Sequence, residues 1–372
     1  MTETITQPYL LPTYARLGVT FVEGEGSWLI DADGKRYLDC LGGIAVVSLG
    51  HRHPAPLAAA HAQLDRLWHV SNLFWTEPMH ELAGRLSDRF GGASAFFCNS
   101  GAESIEAALK WARKSTGRSE LVALEGSFHG RSLGALSITG QPTKRAAFEP
   151  LLPGVRFATP ATLPDAVTSE TAAIVLEPVQ GEGGIHPLST EALADARALA
   201  DEHGALLVFD EIQTGVGRCG AFFAWERHGI KPDAATLAKG LANGLPIGVL
   251  LVGDDAPTGF APGDHGSTFG GNPVSCAAAC AVVDTIDEEL LANVRAVSAL
   301  LMDGLSDLGT VRGLGLLLGV ELDRPAGPVV EAALARGLVV GTAGETTLRL
   351  APPLTITAEE AAYAVDLLKD AA

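Results

Sequence analysis

From about residue 95 onward, short apolar runs alternate with amphipathic stretches. The runs at 94–98, 120–124, 155–158, 172–177, 205–210, 234–238 and 247–252 have the length and composition of buried strands, as in "AAIVLE" and "ALLVFD". Between several of them, apolar residues recur at helical spacing; Ile105, Ala108, Leu109 and Ala112 share one face. Alternating strand and helix predicts an α/β fold with a large, mostly parallel sheet covered by helices. Such sheets bind ligands at the carboxyl ends of their strands, so the polar residues that follow these runs are the candidates for chemistry.

The two ends of the chain read differently. The C-terminal part opens with a long helix pattern from "NPVSCAAACAVVDTIDEE" onward. It continues with strand-like "VRGLGLLLGVEL", "GLVVG" and "TTLRLAP", and closes with a helix N-capped by Thr357. This predicts a smaller α+β domain over 276–372, after a large domain over 51–275. In the segment 1–50, "GSWLIDADGKRYLD" predicts a hairpin turning at Asp33-Gly34 and placed to join the smaller domain.

Composition narrows the classes. The chain has 372 residues, 47% hydrophobic and 19% charged, enough to bury a large core. Its 26 Lys+Arg against 44 Asp+Glu leave a net charge of −18, which argues against nucleic-acid and anionic-membrane partners. An anionic substrate therefore requires a few locally placed arginines. Five cysteines (Cys40, Cys98, Cys219, Cys276, Cys280) include no C-x-x-C pair and predict reduced, mostly buried thiols. No ligand cluster for a metal stands out. The start "MTETITQPYLLPTYARLG" lacks the pattern of a signal peptide, and no apolar run is long enough for a bilayer, so a cytoplasmic protein is expected.

Four segments carry candidate chemistry. In "NSGAESIEAALKWARK", Ser100 opens a helix and Gly101-Ala102 lets backbone approach a ligand, which suits a phosphate. Ser100-x-x-Glu103 is equally a capping box, which needs no ligand. In "GSFHGRSLGA", Phe128, next to His129, could cover the face of a planar ligand and Arg131 could clamp a carboxylate; a core Phe, a satisfied His and a solvated Arg are the bland alternative. In "LLVFDEIQTGVGRCG", Asp210 ends an apolar run, where a carboxylate is costly unless paired with a cation. The "GVGRCG" that follows matches the dinucleotide fingerprint literally, but "DEIQT" separates it from the strand and no suitable helix follows. In "ATLAKGLANGLP", Lys239 has no carboxylate within several residues. Desolvation there lowers a lysine's pKa, and a neutral amine condenses with an aldehyde. Lys239 and Asp210 together suit pyridoxal phosphate, which needs a Schiff-base lysine and a carboxylate for its pyridinium nitrogen.

In order along nearly the whole chain, "NSGAES", "FHGR", "EPVQGEGG", "VFDEIQTGVGR", "LAKGLANGLPIG", "GSTFGGNPVSCAAA" and "LRLAPPL" resemble the class III pyridoxal-phosphate aminotransferases. The resemblance implies the aspartate-aminotransferase-like fold, fold type I. The N-terminal "GSWLIDADGKRYLDCLGGIAVVSLGH" is most similar to the acetylornithine branch of that class. By resemblance, Lys239 would hold the cofactor and shuttle a proton, and Asp210 would keep the ring nitrogen protonated. Gln213 would meet the ring hydroxyl, Ile212 and Phe128 (with His129 beside it) the ring faces, and Ser100, Gly101 and Ala102 the phosphate. A homodimer is implied as well, because the partner's Ser267 and Thr268 would complete the phosphate site, with Ser267 also near substrate.

The same resemblance assigns the substrates. Arg131 would grip the α-carboxylate of N-acetylornithine, and Arg349 that of 2-oxoglutarate, giving N-acetylglutamate 5-semialdehyde and glutamate in arginine synthesis. Glu182 would mask Arg349 while the amine reacts and swing away when the oxoacid arrives. Ornithine aminotransferases carry a tyrosine about where this chain has Ile44, which favours an acylated donor. Ornithine, 4-aminobutyrate, succinylornithine, acetyllysine and succinyldiaminopimelate stay open as donors. An aminomutase or decarboxylase is disfavoured by Arg349 with Glu182, and a non-catalytic protein of the same fold by the intact set of site residues.

Overall fold

The computed structural model describes residues 9–372; residues 1–8 of the expected N-terminal segment lie outside the described residues. Among the described residues, the seven apolar runs form one sheet. Its strands are β1 (Ala93–Cys98), β2 (Glu120–Leu124), β3 (Val155–Ala158), β4 (Thr171–Leu176), β5 (Leu206–Asp210), β6 (Ala234–Leu237) and β7 (Gly248–Gly253). Their lateral order is β1-β7-β6-β5-β4-β2-β3. The pairs β6–β5, β5–β4, β4–β2 and β2–β3 are parallel, while β7 runs antiparallel to both β6 and β1. The sheet is thus mostly parallel with one reversed strand. Only residues 238–247 separate β6 from β7, fewer than the dozen or so that a parallel crossover takes.

Alternation along the strands sends successive side chains to opposite faces, and both faces are apolar. On one face Leu121, Ala123, Ala173 and Val208 pack against Ile105, Ala108, Trp111 and Ala112 of the helix Gly101–Thr116. On the other, Val122, Ile174 and Leu207 pack against Leu193, Ala196 and Ala200 of the helix Thr190–His203. Each fully buried large side chain contributes roughly 1.5–3 kcal/mol relative to exposure, which holds the sheet rigid behind the loops at its carboxyl edge.

The smaller part departs from expectation in two places. The long helix is two helices, Pro273–Thr285 and Glu288–Gly304. Asp287 separates them because its side chain accepts from the Leu290 N–H at 2.9 Å and caps the second. The strand-like "VRGLGLLLGVEL" is a hairpin, Thr310–Leu314 against Leu317–Glu321, turning at Gly315 with φ +58°. Thr347–Leu350 pairs antiparallel with Leu317–Glu321 and carries Arg349 into the middle of that sheet. Near the start of the chain, Trp28–Asp31 and Arg36–Asp39 form the expected hairpin, and Arg36–Asp39 also pairs with Leu338–Val339. Thr357 caps the last helix with a complete capping box.

Candidate functional site

A cavity of about 420 Å³ opens at the carboxyl edge of the large sheet. Ser100, Gly101 and Ala102 line it after β1, and Phe128, His129 and Arg131 after β2. Asp210, Ile212 and Gln213 reach it from the end of β5, and Lys239 from the turn after β6. Residues scattered over 140 positions of sequence therefore meet because each follows a strand of one parallel sheet.

Lys239 has φ +36°, in the left-handed region that non-glycine residues avoid. Among the described residues its ammonium makes no hydrogen bond or ion pair. Burial pulls its pKa below the ordinary lysine value; Arg349 adds to that, while Glu182, Asp210 and Glu177 oppose it. Its sequence neighbours offered no counter-charge; the fold supplies three at a distance.

Asp210 ends β5, and its Oδ2 lies 2.7 Å from His129 Nδ1, with both side chains shielded from solvent. Its Oδ1 accepts from the Ile212 N–H at 3.1 Å and the Thr236 hydroxyl at 3.3 Å. Burial works against a charged His129, but the hydrogen bond and charge of Asp210, with Glu177 adding, raise its pKa above the ordinary value. His129 thus backs Asp210. Its Nε2 is buried without a partner among the described residues.

Gln213 Oε1 is likewise buried with no donor among the described residues, and suits a ligand hydroxyl. A Cβ on Gly181 would lie 2.2 Å from Gln213 Nε2, and one on Gly101 would lie 2.8 Å from Ile212 Cδ1. Glycine at both positions is what lets these side chains reach the cavity. Ser100 caps its helix by accepting from the Glu103 N–H at 3.2 Å. The expected capping box is incomplete, because the Glu103 carboxylate turns to the Asn99 N–H at 2.6 Å instead. Ser100, Gly101 and Ala102, at the start of this helix, line the cavity, where a helix leaves its first N–H groups without intrahelical partners. An unpaired desolvated amine, a histidine-backed carboxylate, a lone amide oxygen and a helix start fit pyridoxal phosphate.

Glu182 forms a salt bridge with Arg349, whose side chain is 5% exposed. Burial pushes the Glu182 pKa up, but the charge and hydrogen bond of Arg349, then Lys239 and Lys144, bring it below the ordinary value. Neither partner lines the cavity directly, yet both act on Lys239 through space.

Three sequence features fall elsewhere, and a fourth residue, Asn243 in "LAKGLANGLPIG", is settled by its contacts. Ser267 and Thr268 line a neighbouring cavity with His265, joined to the first through Asn99, whose Nδ2 donates to Ser267 Oγ at 3.1 Å. Ile44 is 39% exposed and does not line the main cavity; Val46 does. The glycines of "GVGRCG" serve packing: a Cβ on Gly217 would lie 2.9 Å from Leu354 Cδ1. Asn243 is structural, in a left-handed conformation with its side chain bonding the Leu49 N–H and the Gly50 carbonyl at 2.8 and 2.9 Å.

Glu177 was not singled out from the sequence. It lines the cavity and accepts from the Phe128 N–H at 2.8 Å and the Gly181 N–H at 3.1 Å. Burial raises its pKa to about 7, against the opposing charge of His129. The signal was present: Glu177 follows the apolar run of β4 as Asp210 ends that of β5.

Known proteins place the chain. The family model for class III aminotransferases matches residues 12–372. The acetylornithine aminotransferase of Corynebacterium efficiens is 48% identical, over 96% of this chain and 94% of its own length. Among solved structures, the ornithine aminotransferase of Toxoplasma gondii superposes with a TM-score of 0.93 at 30% identity, over 98% of this chain and 92% of that one. The N-acetylornithine aminotransferase of Stenotrophomonas maltophilia gives 0.84 at 35% identity, over 96% of both chains. This chain belongs to the class III aminotransferases, enzymes dependent on pyridoxal phosphate.

Proposed function

We propose that this protein is an acetylornithine aminotransferase, moving the δ-amino group of N2-acetyl-L-ornithine to 2-oxoglutarate. The products are N-acetylglutamate 5-semialdehyde and glutamate, in arginine biosynthesis. The observation that carries the reading is the Glu182–Arg349 pair within electrostatic reach of the desolvated Lys239. A maskable arginine suits an enzyme that alternates between an amine with no carboxylate at its reacting carbon and an α-oxoacid that has one.

When bound, pyridoxal phosphate supplies a carbonyl for the amine and a ring that takes up the electron pair of the reacting carbon. Lys239 Nζ attaches the cofactor in its neutral form, favoured by burial, and moves the proton at the reacting carbon. Asp210, oriented by His129, would hold the ring nitrogen in its protonated form. Gln213 would meet the ring hydroxyl, and Ile212 and Phe128, which line the cavity, would exclude water from the ring. Ser100 with the N–H groups of Gly101 and Ala102 takes the phosphate, which a helix N-terminus favours. Arg131 binds the α-carboxylate of the amine donor and Arg349 that of the oxoacid.

A homodimer completes the proposal, with Ser267 and Thr268 entering the partner's phosphate site. Leu73, Phe74, Trp75 and Phe269 are 86%, 63%, 85% and 59% exposed, more apolar surface in one place than a monomer usually shows. The Asn72 side chain ties these stretches together, donating to the Ser267 and Gly270 carbonyls at 3.0 and 2.9 Å. A cytoplasmic location and the division near residues 50 and 275 belong to the same reading.

Ornithine is the competing donor, supported by the higher TM-score to the Toxoplasma gondii enzyme, 0.93 against 0.84. That score follows the backbone path. Sequence identity reads the side chains, and relatives called acetylornithine aminotransferase reach 49% over 94% of this chain. The test is the visible absorption of the cofactor-loaded protein. It should bleach with N-acetylornithine, return with 2-oxoglutarate and ignore ornithine at equal concentration. Bleaching by ornithine alone replaces the donor, and Lys239→Ala turning over at the parental rate overturns the mechanism.

A further inference from the structure

The turn that carries Glu182 is held at both ends. Residues 181–185 join the short antiparallel strands Val179–Gln180 and His186–Pro187. At the near end, the Gly181 N–H donates to the Glu177 carboxylate at 3.1 Å. At the far end, Arg312 Nε donates to the Gly184 carbonyl at 2.8 Å. Between them, a Cβ on Gly183 would lie 2.4 Å from the Gly126 carbonyl oxygen, so the backbone there is pressed against the loop after β2. Arg312 is itself fixed. Its Nη2 donates to Glu321 Oε2 at 2.6 Å and to the Thr347 hydroxyl at 3.0 Å. The Thr347 hydroxyl donates in turn to the same carboxylate oxygen at 2.7 Å, and the Thr346 hydroxyl to the other. The Thr346, Arg312 and Thr347 hydrogen bonds, with the Arg312 charge, hold the Glu321 pKa down to about 2, so Glu321 stays ionised beside Arg312.

Strand register explains how one side chain serves both segments. Arg312 lies opposite Gly319, and Gly319 opposite Arg349, on adjacent antiparallel strands. Residues directly opposite share a face, so the two arginines stand on one side of the sheet with a gap between them. Ile185 fills that gap: a Cβ on Gly319 would lie 2.9 Å from Ile185 Cβ. Arg312 thus bridges the same two segments as the Glu182–Arg349 pair, reaching Gly184 just beyond Glu182 and Thr347 just before Arg349. This second bridge does not depend on the first. Arg312 does not line the main cavity, and its Nε and Nη2 are committed within the chain, so any effect it has on the reaction passes through other residues.

We propose that Arg312 is a positioning residue for the change between the two substrates: by fixing the Gly184 carbonyl it holds the Glu182 backbone in place, so that unmasking Arg349 is a rotation of the Glu182 side chain alone. This rests on the aminotransferase reading and deepens it. Without the anchor, the turn must be ordered each time Glu182 pairs with Arg349, and that ordering costs conformational entropy. The masked state then weakens, and an amine whose reacting carbon carries no carboxylate loses its advantage over glutamate.

The test uses the full-length, cofactor-loaded enzyme with Arg312→Gln, Arg312→Lys, Glu182→Ala, and Arg312→Gln combined with Glu182→Ala. The readout is the ratio of kcat/KM for N-acetylornithine to that for glutamate, which does not depend on how much of a variant is folded. Arg312→Gln should lower this ratio by roughly three- to tenfold, and should lower it no further once Glu182 is Ala. Arg312→Lys keeps a charge beside Glu321 but offers one nitrogen where two are used. It should melt closer to the parent and recover only part of the ratio. Hydrogen exchange over residues 181–185 gives a second measure: faster than parent in Arg312→Gln, unchanged in Glu182→Ala. An unchanged ratio in both Arg312 variants overturns the proposal. So does a loss that adds to that of Glu182→Ala, which marks general damage, or exchange accelerated by Glu182→Ala alone, which places the hold in the Glu182–Arg349 pair itself. In those cases the variants still transaminate and the aminotransferase reading stands. A parent enzyme with no oxoacid-dependent turnover removes that reading, while hydrogen exchange still reports on the Arg312 anchor.

Discussion

The Nδ1 of His129 lies 2.7 Å from the Oδ2 of Asp210, and Glu177 acts on both from a third buried position. One imidazole thus stands between two carboxylates that cannot both be charged at low cost in a dry site. Asp210 depends on His129 for its orientation. His129→Ala should lower turnover by roughly ten- to a hundredfold, with His129→Asn less affected. A pH titration of the bound cofactor's visible absorption checks the cause, since only a role through Asp210 displaces its midpoint.

Removing Glu182 leaves Arg349 buried and uncompensated. Glu182→Ala should therefore lower kcat/KM for the amine donor about tenfold or more, while the oxoacid half-reaction is spared. The unmasked arginine should also let glutamate compete better as donor. Single-turnover rates for each half-reaction measure the asymmetry, and equal losses in both would contradict the masking role.

Glu211 gives a pH dependence of stability. It is buried and, among the described residues, has no cation bonded to it; its carboxylate accepts from the Thr214 hydroxyl and the Ala224 and Trp225 N–H groups at 2.6, 3.0 and 3.0 Å. Burial raises its pKa to about 7 despite those bonds. A carboxyl with a raised folded-state pKa binds its proton more tightly folded than unfolded. Its contribution is fully present below the unfolded value, near ~4.3, and is lost as pH rises through about 7. Denaturant melts between those pH values should show unfolding free energy falling with pH. The slope from this group approaches ~1.4 kcal/mol per pH unit, and Glu211→Gln should flatten it.

A charge on the exposed apolar segment should break the assembly. Leu73→Asp is expected to give a monomer by sedimentation, with weaker cofactor retention because Ser267 and Thr268 of a second copy no longer reach the site. A stable dimer with this substitution would place the interface elsewhere.

The large sheet was legible because its strands are apolar on both faces, so each run such as "AAIVLE" stands out whatever its neighbours. The small sheet was less so. "VRGLGLLLGVEL" has no polar break, and only the positive φ of Gly315 turns it. The break at Asp287 hid inside an apolar-rich pattern that suits one helix as well as two. Lys239 and Asp210 could be paired in thought because each is anomalous alone, an unpaired cation and a carboxylate ending a strand. Arg312 could not. It looks like any arginine at the start of a strand, and only the path of the chain sets it against Gly184 and Thr347.

Lys239 combines a left-handed backbone with a desolvated amine. Glycine relieves the first and, lacking the side chain, abolishes the second. Lys239→Gly should therefore unfold at a higher temperature than the parent apoenzyme while being inert. The native chain at this position is a compromise struck against its own fold: a less active protein is the sturdier one, and reactivity is kept ready by a backbone that would relax if it were given up.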